Sequence, residues 1–156
     1  MEKLIDVASY IYNRYHQTTG EKIDEMKLHK LLYFSQRESL IQNDEPMFPE
    51  VFYAWKYGPV LNEIRVMYRN GTFSSSVDES ACKRIGKIMD SVVERYADKD
   101  SWSLSRLTRG EVSWKKSRIG IPDNENGDSV MNNEDIRADA ERIRVRRKCL
   151  AQLASK

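Results

Sequence analysis

Turn-forming residues are scarce in this chain, with seven glycines and four prolines in 156 residues. That is too few for a turn-rich β sandwich or barrel and suits long helices. Cysteine is scarcer still. Cys82 and Cys149, 67 positions apart, form no disulfide framework, metal motif or redox pair, which points to reduced thiols in a cytoplasmic protein. Long hydrophobic runs are missing: the longest, Val51 to Trp55, has five residues, so no transmembrane helix and no membrane partner is expected. The opening Met1-Glu2-Lys3-Leu4-Ile5-Asp6 is too charged for a signal peptide.

The catalytic fingerprints are absent as well. The two histidines, His16 and His29, belong to different predicted helices, sit in no HExxH pattern and have no Cys partner at zinc spacing. There is no G-x-S-x-G, no P-loop and no dinucleotide fingerprint. The acids fall at helix caps and on exposed faces. An enzyme is therefore not expected, and neither is a cofactor or a bound metal.

What is present is unevenly spread. All 15 aromatics lie between Tyr10 and Trp114. Residues 1–119 hold 19 Lys/Arg against 17 Asp/Glu, residues 120–136 five acids and no base, and residues 137–156 seven bases and two acids. A near-neutral, aromatic-rich body is thus followed by an acidic stretch and a basic tail.

Apolar spacing near 3.6 predicts a helix over 3–17, from Leu4, Val7, Ala8, Ile11, Tyr12 and Tyr15. A second runs from an Asp24 cap to about Gln42, on Met26, Leu28, Leu31, Leu32 and Phe34. Residues 48–57 are expected to be extended, with Tyr53, Trp55 and Tyr57 on one side and Phe52, Ala54 and Lys56 on the other. Gly58-Pro59 is expected to open a helix ending at Asn70-Gly71, Pro being favoured at a first helical position. Ser75 or Ser76 should begin a helix carrying Ala81, Ile85, Ile88, Met89, Val92 and Tyr96. A shorter one follows with Trp102, Leu104 and Leu107, and Thr108-Arg109-Gly110-Glu111 forms a capping box ahead of Val112 and Trp114. Residues 119–131 read as a loop. The last helix, 132–155, is capped by Asn132 or Asn133, with acids early and bases late as its dipole favours. The fold class is therefore mainly α: one compact helical domain over 1–156, with at most a short extended segment or small hairpin near 48–57.

Two surfaces are candidates for binding. Tyr53, Trp55 and Tyr57 either roof the core or form a docking patch of amphipathic aromatics. The basic run that includes Arg144 and Arg147 either compensates the helix dipole or meets a partner. Nucleic acid is the weaker choice for that run, because the body is neutral and the pI is only about 8.5.

Three segments carry a family resemblance. Lys27-Leu28-His29-Lys30-Leu31-Leu32-Tyr33-Phe34 resembles the K-L-x-K-L-L-Y-F signature of the Panacea domain, the SocA-like or GepA-like antitoxin family. Ala54-Trp55-Lys56-Tyr57-Gly58-Pro59-Val60 resembles its A-W-x-x-G-P-V, and Leu104-Ser105-Arg106-Leu107-Thr108, with Trp114 six positions on, its L-S-x-L-T-H and W. The family's His is Arg109 here, Arg65 stands where a Tyr is often found, and Asn62 replaces a frequent Pro. The resemblance spans residues 3 to about 118. It implies a compact helical domain found in bacteria and often in prophages, the non-enzymatic antitoxin of a two-gene module that binds a toxin encoded by the adjacent gene. Tyr53, Trp55, Tyr57, Arg109, Trp114, Arg144 and Arg147 are the candidate partner contacts. The alternatives are an adaptor delivering a toxin to a AAA+ protease, as the related SocA antitoxin does, and a nucleic-acid-binding regulator using the basic last helix.

Overall fold

Fifteen consecutive residues of the second helix, Lys27 to Ile41, are buried, polar and apolar alike. In the computed structural model, which describes residues 1–155, this helix, α2 (Glu25–Asn43), is the axis around which the chain wraps. It packs against α1 (Leu4–Thr19), α3 (Asn62–Asn70), α4 (Glu79–Tyr96), α5 (Ser101–Arg109), α7 (Asn133–Ala154) and strand β2 (Gly58–Val60). The remaining elements are strand β1 (Tyr53–Trp55) and the short helix α6 (Val112–Ser117), which packs on α7. The fold is mainly helical with one small hairpin, as the sequence predicts.

A helix buried all round must satisfy its polar side chains internally. Ser35 Oγ donates to the Leu31 carbonyl at 2.7 Å. Gln36 donates to the Phe48 carbonyl at 2.9 Å and accepts from the Met47 N–H at 2.7 Å, tying the 44–50 segment to the helix. Arg37 pairs with Glu111, and Glu38 accepts both arms of Arg147. The core around this axis joins Leu4, Val7 and Ile11 of α1, Ile88, Met89 and Val92 of α4, and Ile136 and Ala140 of α7.

Local signals explain most boundaries. Asp24 accepts from the Lys27 N–H at 2.8 Å and starts α2. Gly20 and Gly71 end α1 and α3 with left-handed φ. Asn132 caps α7 through the Glu134 N–H at 2.7 Å.

Three expectations are corrected. Gly58-Pro59 does not open a helix. Gly58 has φ +111° and begins β2, which pairs antiparallel with β1 in the register Tyr53 to Val60, Ala54 to Pro59 and Trp55 to Gly58. A proline without an N–H fits such a two-stranded ribbon, and α3 starts only at Asn62. The cap of α4 is Asp78, accepting from Ala81 N–H at 3.2 Å, not Ser75 or Ser76. Thr108 caps nothing: it lies inside α5 and its hydroxyl donates back to the Ser105 carbonyl at 2.8 Å. The segment expected to be a loop after residue 119 does run irregularly, but its end lies along β1. The Met131 N–H donates to the Phe52 carbonyl at 2.8 Å, and Tyr53 bridges to Val130.

Candidate functional site

The three signature segments converge on one buried amine. Lys30, 1% exposed on α2, donates from Nζ to the Pro59 carbonyl of β2 at 3.0 Å. Gly58 sits so close that a Cβ there would lie 2.5 Å from Thr108 Oγ1 of α5 and 3.0 Å from Lys30 Cε. The absent side chain of Gly58 is what lets α2, the hairpin and α5 meet. Burial pushes the Lys30 ammonium down to about 7, with the neighbouring charge of Arg109 acting in the same direction.

The neighbouring residue of α2, His29, fixes the hairpin's exit. The Leu61 N–H, at the start of α3, donates to His29 Nδ1 at 3.1 Å, so the single ring proton of the neutral imidazole is on Nε2, 3.2 Å from Glu25. Burial holds the His29 pKa below its usual value, consistent with that neutral form. Lys27 reaches Tyr15 Oη at 3.1 Å and the Ala97 carbonyl at 3.2 Å. Tyr33 shares a hydrogen bond of 3.1 Å with Ser113. Leu28, Leu31, Leu32 and Phe34 are core, as is Leu104. The signatures are thus mainly a packing and hydrogen-bonding device.

The outer face of the hairpin is where aromatic rings reach solvent. Phe52 and Ala54 are buried while Tyr53 and Trp55 are half-buried and Tyr57 is 43% exposed. The three do not act as one stripe. Tyr57 sits in the turn and meets Trp102 edge-on, ring centres 5.1 Å apart, while Ser105 donates to its carbonyl at 2.6 Å. Trp55 lies under the Arg65 guanidinium at 4.6 Å, and its carbonyl accepts from Trp114 Nε1 at 2.9 Å. Lys56 lies over Tyr57 at 5.2 Å. Arg109, half-buried, turns back to the Ser105 carbonyl at 3.4 Å. Of the apolar residues expected on this short helix, Leu104 is buried while Trp102 and Leu107 are exposed; Trp102, two positions before Leu104, points away from it.

The basic residues of α7 divide into two sets. Arg144 donates to the Ile41 and Leu40 carbonyls at 3.1 and 2.9 Å, satisfying the end of α2. Arg147 makes a bidentate pair with Glu38 at 2.7 and 3.1 Å, which helps hold that largely buried carboxyl below its usual pKa against the effect of burial. Arg137 reaches the Asp44 carbonyl at 2.8 Å. These three brace α7 on α2, whereas Arg142, Arg146 and Lys148 are exposed. Helical spacing alone could have separated the two sets, since 144 lies seven positions after 137 and three before 147.

Among the described residues, no three His, Cys, Asp or Glu side chains gather in a group able to hold a metal. No helix there is long and apolar enough to cross a membrane. Comparisons with curated proteins and with solved structures give no match. A family comparison does match, over residues 28–115, and this interval contains all three signature segments except Lys27. More than half of the chain is matched, and the chain belongs to the family described as Antitoxin SocA-like, Panacea domain.

Proposed function

We propose that this chain is the antitoxin of a two-gene module: it binds a toxin encoded by the adjacent gene and blocks it by contact, with no reaction of its own. Membership of an antitoxin family supports the class. The observation that carries the mode of action is the Tyr57–Trp102 pair, 43% and 51% exposed, where the hairpin turn meets α5 and is anchored through Gly58, Pro59 and Lys30. Large aromatics held on a stiff support lose little freedom on binding and dominate interface energies. Trp55 beneath Arg65, with Trp114 behind it, extends the same surface. Arg109, Arg144 and Arg147 are already bonded within the chain and contribute to binding through the elements they position.

The test is co-expression with the product of the neighbouring reading frame. That product is expected to arrest growth alone and to be tolerated with the wild-type chain. The double variant Tyr57→Ala/Trp102→Ala keeps its helical circular dichroism and melting temperature but loses rescue, with binding weakened by about 2 kcal/mol or more. Full rescue by the folded double variant removes the hairpin surface from the mechanism. A harmless neighbouring product removes the antitoxin reading. A toxin whose half-life falls in the presence of this chain, and only when a AAA+ protease is present, identifies delivery for degradation instead of occlusion.

A further inference from the structure

A second surface lies further along α2 from the hairpin's contacts, at Phe34 and Arg37, one and two turns beyond Lys30. Between α4, α5 and the start of α6 on one side and α7 on the other runs a groove of about 520 Å³. Its floor is the Phe34 ring stacked on Tyr96, centres 4.1 Å apart, with Ile143 beside them. Its rim is apolar and open: Leu107, Val112 and Leu150 are 45%, 38% and 56% exposed. Single exposed apolar residues are ordinary, but three around one groove are not.

The charges around this groove are of one available sign. The acids in its wall are committed within the chain: Glu111 to Arg37, and Asp139 to the Val112 and Ser113 N–H groups at 3.3 and 2.8 Å. Among the described residues Arg95 and Arg146 form no ion pair and no side-chain hydrogen bond, and Arg142 stands 3.5 Å from Asp139 while 61% exposed. Arg37, 8% exposed in the same wall, has a buried Nε with no partner there. Apolar rim plus unanswered guanidinium groups is the complement of a helix with hydrophobic residues on one face and carboxylates along its edges.

We infer that this groove is a docking site for an acidic amphipathic helix of a partner protein. The helix seats its apolar face on Phe34, Tyr96 and Ile143 and turns its carboxylates toward Arg95, Arg142 and Arg146. A second copy of this chain fits poorly, because its α7 would bring arginines against arginines. A nucleic acid leaves Leu107, Val112 and Leu150 unmatched. The inference stands apart from the antitoxin reading, since it is drawn from the groove alone.

The experiment uses the full chain and a synthetic amphipathic helix with leucine on one face and glutamate on the other. A control peptide carries lysine in place of glutamate. The glutamate peptide is expected to bind the wild type, to lose affinity at least about tenfold on Arg95→Glu/Arg146→Glu, and to weaken with salt. The lysine peptide is expected not to bind. Melting of the double variant close to wild type shows that folding is intact, and if it is not, Arg95→Gln and Leu150→Ser are titrated in the same way and are each expected to weaken binding. Equal affinity for the two peptides, no binding of either, or unchanged affinity of the folded variants overturns the inference. So does displacement of the peptide by a single-stranded RNA oligonucleotide on equal molar terms, or sedimentation of the chain alone as a dimer closed over the groove. Because no toxin is used, these failures are separate from failure of the antitoxin reading.

Discussion

Lys30 carries an ionisable group into a position where water does not follow, and only the Pro59 carbonyl receives its donor at 3.0 Å. A charged ammonium there loses its hydration without gaining an ion pair, so its proton is held less tightly than in the unfolded chain. With the folded pKa at about 7 and the ordinary value at 10.5, the unfolded chain retains a proton between these limits that the folded chain has shed. Stability must then rise with pH across that window, by at most about 1.4 kcal/mol per unit, and show no slope from this group below it. Lys30→Met keeps the unbranched stem and removes the titrating head. Denaturant midpoints of the wild type are expected to climb from pH 7 to 9.5 relative to those of Lys30→Met, whatever the constant offset between them. Parallel curves would mean that the amine is solvated. His29 acts in the same sense at lower pH: its depressed pKa means that stability is lost as pH falls below about 6.5, where the unfolded ring takes up a proton that the folded ring, accepting from Leu61 N–H, does not.

At the level of elements, α6 shows how little a short helix depends on its own sequence. Its cap position, Glu111, makes no capping bond and is instead drawn to Arg37, while burial raises its carboxyl pKa despite that partner. The first N–H groups of α6 are satisfied from α7 by Asp139, 26 and 27 positions away. Asp139→Ala is expected to cost about 1–2 kcal/mol and to speed amide exchange in 112–117 well before α2 is affected. Asp139→Asn, which keeps one acceptor oxygen, is expected to lose roughly half as much. Exchange in α6 unchanged by Asp139→Ala would show that water replaces the carboxylate. The same dependence explains what was legible in the sequence. α1, α3 and α4 are readable because each has one apolar face, and α1 and α3 end at the local stops Gly20 and Gly71. The caps of α4 and α6 were misread because Ser75, Ser76 and Thr108 have the right chemistry at a plausible spacing, and only tertiary placement decides between such residues. The hairpin turn at Gly58 was mistaken for a helix start because Pro59 suits both, while the φ of Gly58 is fixed by the approach of Lys30 and Thr108. The Tyr57–Trp102 contact joins separate elements, and no local spacing encodes it.

Across the whole molecule, the segment matched by the family, 28–115, does not close its own core. Leu4, Val7 and Ile11 of α1 pack on it from one end of the sequence, and Ile136 and Ala140 of α7 from the other. The contrast between an aromatic body and a basic tail is therefore not a contrast between a folded part and an appendage. Up to Arg147 the tail is structural: Arg144 serves the last carbonyls of α2 and Arg147 answers the buried Glu38. Beyond it, residues 148–155 are exposed throughout. Two truncations separate these roles. Deleting 132–156 removes Ile136, Ala140 and the Asp139 cap and leaves Glu38 buried without its counter-ion, a loss of about 3–5 kcal/mol for the pair alone in a domain whose whole margin is about 5–15 kcal/mol. That product is expected to show no cooperative thermal transition. Deleting 148–156 removes no buried side chain among the described residues and is expected to shift the melting temperature by no more than about 2 °C, while taking Leu150 from the rim of the arginine-lined groove. The shorter truncation should therefore weaken the acidic peptide without unfolding the chain. A cooperative transition surviving the longer one would show that α7 is an attachment to the core, not a part of it.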